Sequence, residues 1–333
     1  MRSALRRPIA AVTAAAMLAG CVSTQASRIG TDDGRDACRT YVVQLDSTGD
    51  FYGEDILRGA AIGAGTGALA GGLIAAATGR RGSDILAGAA IGALAGGVIG
   101  GTAGYIQARQ RQAQDQQQLL MAVGGDLRNE NAQLDRTQIA FDQLVNCRMN
   151  AANQIRRDVR AGRMSRDQGM ALMSYQRQLM QRDVALAQQI NQKIGTRGSE
   201  FDTAIETIAP GTKQAATARR APTPTTARVS APIRIRPDAG AAEIGQLSAR
   251  DQVTVTPAQG NFAMVETSSG LRGYVPASAV GVRGLGTEPS AGRGQDGEFR
   301  QLAASNIARR DNFSESVQNA DRLAQGQGFE LAG

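Results

Sequence analysis

The sequence predicts a multidomain protein, α-helical over its N-terminal two-thirds, with one small all-β unit towards its C-terminus. Three observations carry this. Of nine prolines, Pro8 is followed by none until Pro210, so no ring breaks a helix between them. Glycine recurs at every fourth position in two uncharged apolar runs, as on helices with one bare face. Beyond residue 230, short alternating pieces parted by turn residues replace the helical period.

At the N-terminus, Arg2, Arg6 and Arg7 precede an apolar stretch from Ile9 to Leu18, closed by Leu18-Ala-Gly-Cys21. This resembles the lipobox of bacterial lipoproteins. The resemblance implies that 1–20 is a signal peptide. It also implies that Cys21 carries two acyl chains through sulfur and a further one, such as palmitate, on its freed amine. Each buried methylene contributes about 0.8 kcal/mol, so several chains anchor stably to membrane lipid. Val22 and Ser23 follow where an Asp usually retains such proteins in the inner membrane. The implied location is therefore the cell envelope, at the outer membrane facing the periplasm, with the periplasmic face of the inner membrane as the alternative. Residues 21–54 form a lipidated segment whose apolar cluster is Tyr41, Val42, Val43 and Leu45.

Segment 55–106 is an internal repeat: Asp55-Ile-Leu-Arg-Gly-Ala-Ala-Ile-Gly-Ala64 returns as Asp84-Ile-Leu-Ala-Gly-Ala-Ala-Ile-Gly-Ala93. Gly59, Gly63, Gly67 and Gly71 line one face of the first copy, and Gly88, Gly92, Gly96, Gly100 and Gly104 one face of the second. Each glycine costs about 1 kcal/mol against Ala in a watery helix. In lipid, small faces let backbones approach and pack, which offsets that cost. The uncharged stretches 59–79 and 85–106 suffice for a core of roughly 30 Å. The repeat resembles the glycine-zipper hairpin of bacterial envelope lipoproteins, which implies a transmembrane helical hairpin. Its basic tip, Arg80-Arg-Gly-Ser-Asp84, would lie in the cytoplasm if the membrane were the inner one. A zipper pore is a further, weaker reading, since Thr66, Thr78 and Thr102 are the sole polar lining.

Residues 107–208 read as a long antiparallel helical coil. Leu127, Leu134, Phe141, Val145, Ala152, Ile155 and Val159 form one heptad-like stripe. Leu172, Leu179, Leu186, Ile190, Ile194, Phe201 and Ile208 form the returning one. Gly162 closes the first helix and Ser165-Arg-Asp-Gln168 has the form of a capping box for the second. The expected hairpin is 126–161 with 166–208, interrupted upstream at Gly124-Gly125; pairing of each stripe with another protomer is the alternative. In an oxidising compartment Cys38 and Cys147 would be the two remaining thiols. A disulfide between them is favoured over unpaired or intermolecular cysteines, and a bend at Gly124-Gly125 would bring Cys147 within reach.

Residues 209–227 read as a Pro/Thr/Ala linker. Then Ile233-Arg-Ile-Arg-Pro237, Glu243-Ile-Gly-Gln-Leu247, Asp251-Gln-Val-Thr-Val255, Phe262-Ala-Met-Val-Glu266 and Arg272-Gly-Tyr-Val-Pro276 follow as strand-like pieces. Segment 228–284 resembles a bacterial SH3 domain through Ile233 to Arg236, Ile244-Gly245 with Leu247, Gly260-Asn-Phe262 and Gly273-Tyr-Val275. The resemblance implies an SH3-like β-barrel with a short helical turn at Pro276-Ala-Ser-Ala-Val280, and a peptidoglycan or periplasmic protein ligand. Phe262 and Tyr274 stand where that family carries tryptophan; with Arg234 and Arg236 they are the candidate ligand residues. Residues 285–333 hold a second linker and a weakly amphipathic helix, to dock on the barrel or coil or to bind a partner.

The chain lacks His and Trp, which excludes imidazole catalysis and His-built zinc sites. Neither nucleotide loop nor flanked carboxylate pair is present, so neither an enzyme nor a cofactor is expected. The formal charge of +7 falls to about +4 without the leader arginines, too scattered to predict nucleic-acid binding. The expected function is a structural or adaptor lipoprotein of the envelope, homo-oligomeric or part of a larger complex. The alternative is an accessory subunit of a secretion or pilus-like machine.

Overall fold

The computed structural model describes residues 25–52, 104–218, 222–257, 261–282, 295–325 and 327–331. Cys21 and the repeat glycines Gly59, Gly63, Gly67, Gly71, Gly88, Gly92, Gly96 and Gly100 lie outside them. In chain order the helices are α1 (Gln25–Ile29), α2 (39–52), α3 (Tyr105–Gln112), α4 (Gln116–Arg160), α5 (Arg166–Ile208), α6 (Thr212–Ala218) and α7 (Gln295–Gln325). The strands are β1 (Thr223–Thr226), β2 (Ala231–Arg234), β3 (Glu243–Leu247), β4 (Gln252–Pro257), β5 (Phe262–Thr267) and β6 (Arg272–Pro276). Among the described residues no helix is long and apolar enough to cross a membrane.

The frame is the antiparallel pair α4–α5. The Ser165 hydroxyl accepts from the Gln168 backbone N–H, and the Gln168 side chain accepts from that of Ser165, so the capping box opens α5. Gly162 turns the chain with φ of 70°. Leu127, Leu134, Phe141, Val145 and Ala152 of the first stripe are buried, as are Leu186, Ile190, Ile194 and Phe201 of the second. Leu172 is not: it stands 41% exposed, and Met173 takes the core position beside it.

The expected break at Gly124-Gly125 is absent, because α4 runs through both residues. Gly124 packs beneath the Phe299 ring of α7, and such tertiary contact outweighs the weak helix propensity of two glycines. The chain doubles back earlier, at 113–115, where the Asp115 side chain accepts from the Gln118 N–H at 2.7 Å. Tyr105 therefore lies beside Asp126.

Helices α2 and α7 complete the bundle. Helix α2 runs antiparallel to α4: Cys38 is disulfide-bonded to Cys147, and the hydroxyls of Tyr52 and Thr137 are 3.2 Å apart. Cys147 is thus reached by α2 running along α4, with no bend at Gly124-Gly125. Helix α7 runs parallel to α4, with Asn306 against Asn131, Arg309 against Asp135 and Phe313 against Phe141. It runs antiparallel to α5, with Arg310 on Asp202 and Asn191 on Ser314. Of the destinations open to this helix in the sequence, it takes the coil, burying Phe299, Ile307, Phe313 and Val317 there.

The six strands form one antiparallel sheet in the order β1-β4-β5-β6-β2-β3. Ile233, Leu247, Val253, Val255, Val265 and Val275 form its core. The stretch 209–227 is not a featureless linker, since it holds α6 and β1. The Glu206 carboxylate accepts from the N–H groups of Gly211 and Lys213, and Arg300 donates to the Pro210 carbonyl and the Thr212 hydroxyl. Polar anchoring from both sides supplements the small apolar burial of Ala209, Ala216 and Ala227. Strand β1 lies at an edge, where Pro224 needs no inward N–H. The loop after β2 ties sheet to bundle: Ile235, Ala241 and Ala242 join the helical core, and the Ala242 N–H donates to Asn146.

Candidate functional site

The described part of the bundle stops at Tyr52 and resumes at Gly104, and side chains bind these two ends together. Arg197 of α5 lies 5.2 Å from the centre of the Phe51 ring and 5.8 Å from that of Phe201. Phe201 in turn packs 5.2 Å from Tyr105. A cation between aromatic faces is attracted by both quadrupoles. Glu130 of α4 neutralises it, accepting from Arg197 at 2.6 Å.

Each end is pinned separately as well. Tyr52 is fully buried, its hydroxyl against Thr137. The Tyr105 hydroxyl donates to Asp126 at 2.5 Å, and Asp126 also pairs with Arg109. Burial pushes the Tyr52 hydroxyl well above the ordinary tyrosine range; burial and the bond to Asp126 do the same for Tyr105. Both stay neutral hydrogen-bonding groups. Tyr52 and Tyr105, beside the two ends of segment 53–103, are therefore both held on α4 and linked through Arg197 and Phe201. Gly104 itself meets no neighbour at the position of a Cβ.

At the other end of α2 a second buried polar cluster flanks the disulfide. Arg148 is 1% exposed and bridges Asp36 and Asp183, donating to Asp183 at 2.6 Å. Burial alone would raise the Asp36 carboxyl, but Arg148 and the Cys38 N–H hold it below its usual range. Deeper in, burial prevails at Asp183 and pushes its carboxyl up.

On the sheet, Tyr274 stands opposite Arg234 on one side and Met264 on the other. Phe262 lies two residues from Met264 on the same face. Arg234, Phe262 and Tyr274 thus share the face away from the sheet's core. That face is not an open aromatic platform: Tyr274 and Met264 are each 6% exposed, with Phe262 packed on them. Arg234 is committed to the Ala241 carbonyl and to Glu243. Arg236 does not join them. It pairs with Asp238 at the joint with α4, near Asp142, whose half-buried carboxyl burial pushes up to about 7. The reason is local: β2 ends at Arg234, and the following loop turns towards the bundle.

Arg197, Glu130, Arg148 and Asp183 escaped the sequence reading. Their signal was present, because each falls within an apolar stripe, Arg197 between Ile194 and Phe201 and Arg148 between Leu144 and Ala152. Among the described residues no group of three or more His, Cys, Asp or Glu side chains is placed to hold a metal ion. Comparisons with protein families, with curated proteins and with solved structures each returned no match.

Proposed function

We propose that the chain is a structural, lipid-anchored protein of the bacterial envelope, in which the bundle clamps a membrane hairpin and holds the β unit away from it. The observation that carries this reading is the convergence of Phe51, Arg197, Phe201 and Tyr105. A glycine-faced helical hairpin needs its two ends side by side, since packed helices lie about 8–10 Å apart. On this reading the relay from Phe51 through Arg197 and Phe201 to Tyr105 ties the two ends to one bundle. The disulfide suits an oxidising compartment, in keeping with a lipobox and export.

The SH3-like reading of the β unit draws support from its strands. Each of the five pieces that carry the resemblance overlaps one of β2 to β6, the first only at Ile233 and Arg234, and a turn of 3-10 helix at Ala277–Val280 follows. On this reading the unit binds peptidoglycan or a periplasmic protein. A partner role in a secretion or pilus-like machine has no separate observation in its favour.

Two measurements test the anchor. Labelled palmitate should enter the full chain and be lost in Cys21→Ser. In sealed membranes a water-soluble maleimide should label a cysteine placed at the exposed Gln318 but spare one placed at Ala93. Equal labelling at both positions would reject the membrane hairpin. Retention of the full chain on purified sacculi, compared with a Phe262→Ala variant, tests the ligand class.

A further inference from the structure

Between the β5–β6 turn and the last turns of α7 lies a cleft of about 320 Å³, lined by Ser269, Gly270, Leu271, Arg272, Asn319, Arg322, Leu323 and Gln325. Its volume falls in the range that accepts small ligands. Two features distinguish it from an ordinary seam between elements. Asn319 is 6% exposed, yet its carboxamide makes no hydrogen bond among the described residues. The carboxamide is not among the sealed, unpaired polar atoms, so it keeps access to the cleft and is open to a ligand entering there. Arg322 likewise forms no ion pair among the described residues. Arg272 gives its Nε to Glu266 at 2.6 Å, leaving its terminal nitrogens as donors.

The lining holds two guanidinium groups and no carboxylate. The acids that adjoin these residues in sheet and chain are engaged, Glu266 with Arg272 and Asp321 with Gln325. Guanidinium matches a carboxylate through paired N–H donors. A carboxamide, with one acceptor and two donors, matches the C=O and N–H of a peptide group. Leu323, 4% exposed, and Leu271 supply an apolar wall sized for a small side chain.

We propose that this cleft binds the C-terminal end of a short peptide, with Arg322 and Arg272 on its carboxylate, Asn319 on its last amide and Leu271 and Leu323 against a small apolar side chain. The inference stands on the cleft alone and does not depend on the membrane anchor or on the sheet's aromatic face.

The test is titration of the full chain in detergent with N-acetyl-Ala-Ala, followed by ligand-observed NMR. Parallel titrations use the same dipeptide as its C-terminal amide and inorganic phosphate. Saturable binding below about 1 mM, weakened at least about tenfold for the amide, is the expected result. Arg322→Gln, an exposed change, should weaken the acid at least about tenfold at an unchanged melting temperature. Asn319→Asp, isosteric but anionic, should do the same if it folds. Equal affinity for acid and amide, displacement of the peptide by phosphate, or binding unaffected in Arg322→Gln would each overturn the proposal.

Discussion

Arg197 donates to both oxygens of Glu130, and the side chains are 11% and 1% exposed. The pair joins α4 to α5 between the anchors of Tyr52 on Thr137 and Tyr105 on Asp126. Removing the acid alone strands a guanidinium in the interior, for which about 3–5 kcal/mol is the usual penalty. Glu130→Ala should therefore lower stability in urea by about that amount. The double change Glu130→Leu with Arg197→Met should lose less, since no charge is stranded. If the single variant is the milder of the two, the pair is not the latch described here.

The Cys38–Cys147 bond closes a separation of 109 residues. Constraint of the unfolded chain by so long a loop predicts a stabilisation near 4.7 kcal/mol, with about 2–5 kcal/mol typical of native bonds. Cys38→Ser with Cys147→Ser should lower the urea midpoint accordingly. Reduced wild type should unfold with the double variant; a reductant that leaves the wild-type midpoint unmoved would show the bond to be energetically idle.

The joint between sheet and bundle should respond to pH through Asp142. Around its carboxyl stand Gln138, which donates to it at 2.8 Å, Arg236 and Asp238. Its folded pKa of about 7 exceeds the unfolded carboxylate value near 3.9. The folded state therefore holds this proton more tightly. Asp142's contribution to stability is complete below about pH 4 and is lost as pH rises through about 7. Asp142→Asn should match wild type near pH 4 and melt higher than it at pH 8. Parallel melting curves at both pH values would show that the carboxyl does not titrate in this window.

Glycines inside the long helices divide by what surrounds them. A Cβ on Gly125 or Gly195 would meet nothing within 4 Å, so Ala at either site should stabilise by about 1 kcal/mol. On Gly198 it would collide with Arg310, which holds Asp202 and Asn306. Gly198→Ala should displace that side chain and cost about 1–3 kcal/mol. Thermal melts of the three variants check both signs.

How much of this was legible follows from where the information lay. Periodicity revealed α4 and α5, because Leu134, Phe141, Ile190 and Phe201 recur at helical spacing and face one another. Alternation between turns revealed the strands. What escaped depends on distant partners. Whether Gly124-Gly125 bends was decided by Phe299, some 175 residues away, and order in 209–227 by Glu206 and Arg300. Arg236 resembled a ligand residue by position in the chain, but the turn after β2 sent it to the bundle. Asn319 carries no sequence signature at all; only the cleft beside it makes it notable.

The cross-link between Cys38 and Cys147 also sets how the molecule carries load. A pull on the chain ahead of Cys38 passes through the S–S bond directly into α4, the longest helix described. Residues 53–103, although they lie between the two cysteines in sequence, sit outside that line of force. On the proposed lipid anchoring, tension between the N-terminus and a tethered β unit would thus be borne by a covalent bond and the bundle, bypassing residues 53–103 in the covalent path. Reduction would reroute the same tension through the repeat itself, making an oxidising surrounding a mechanical requirement as well as a thermodynamic one.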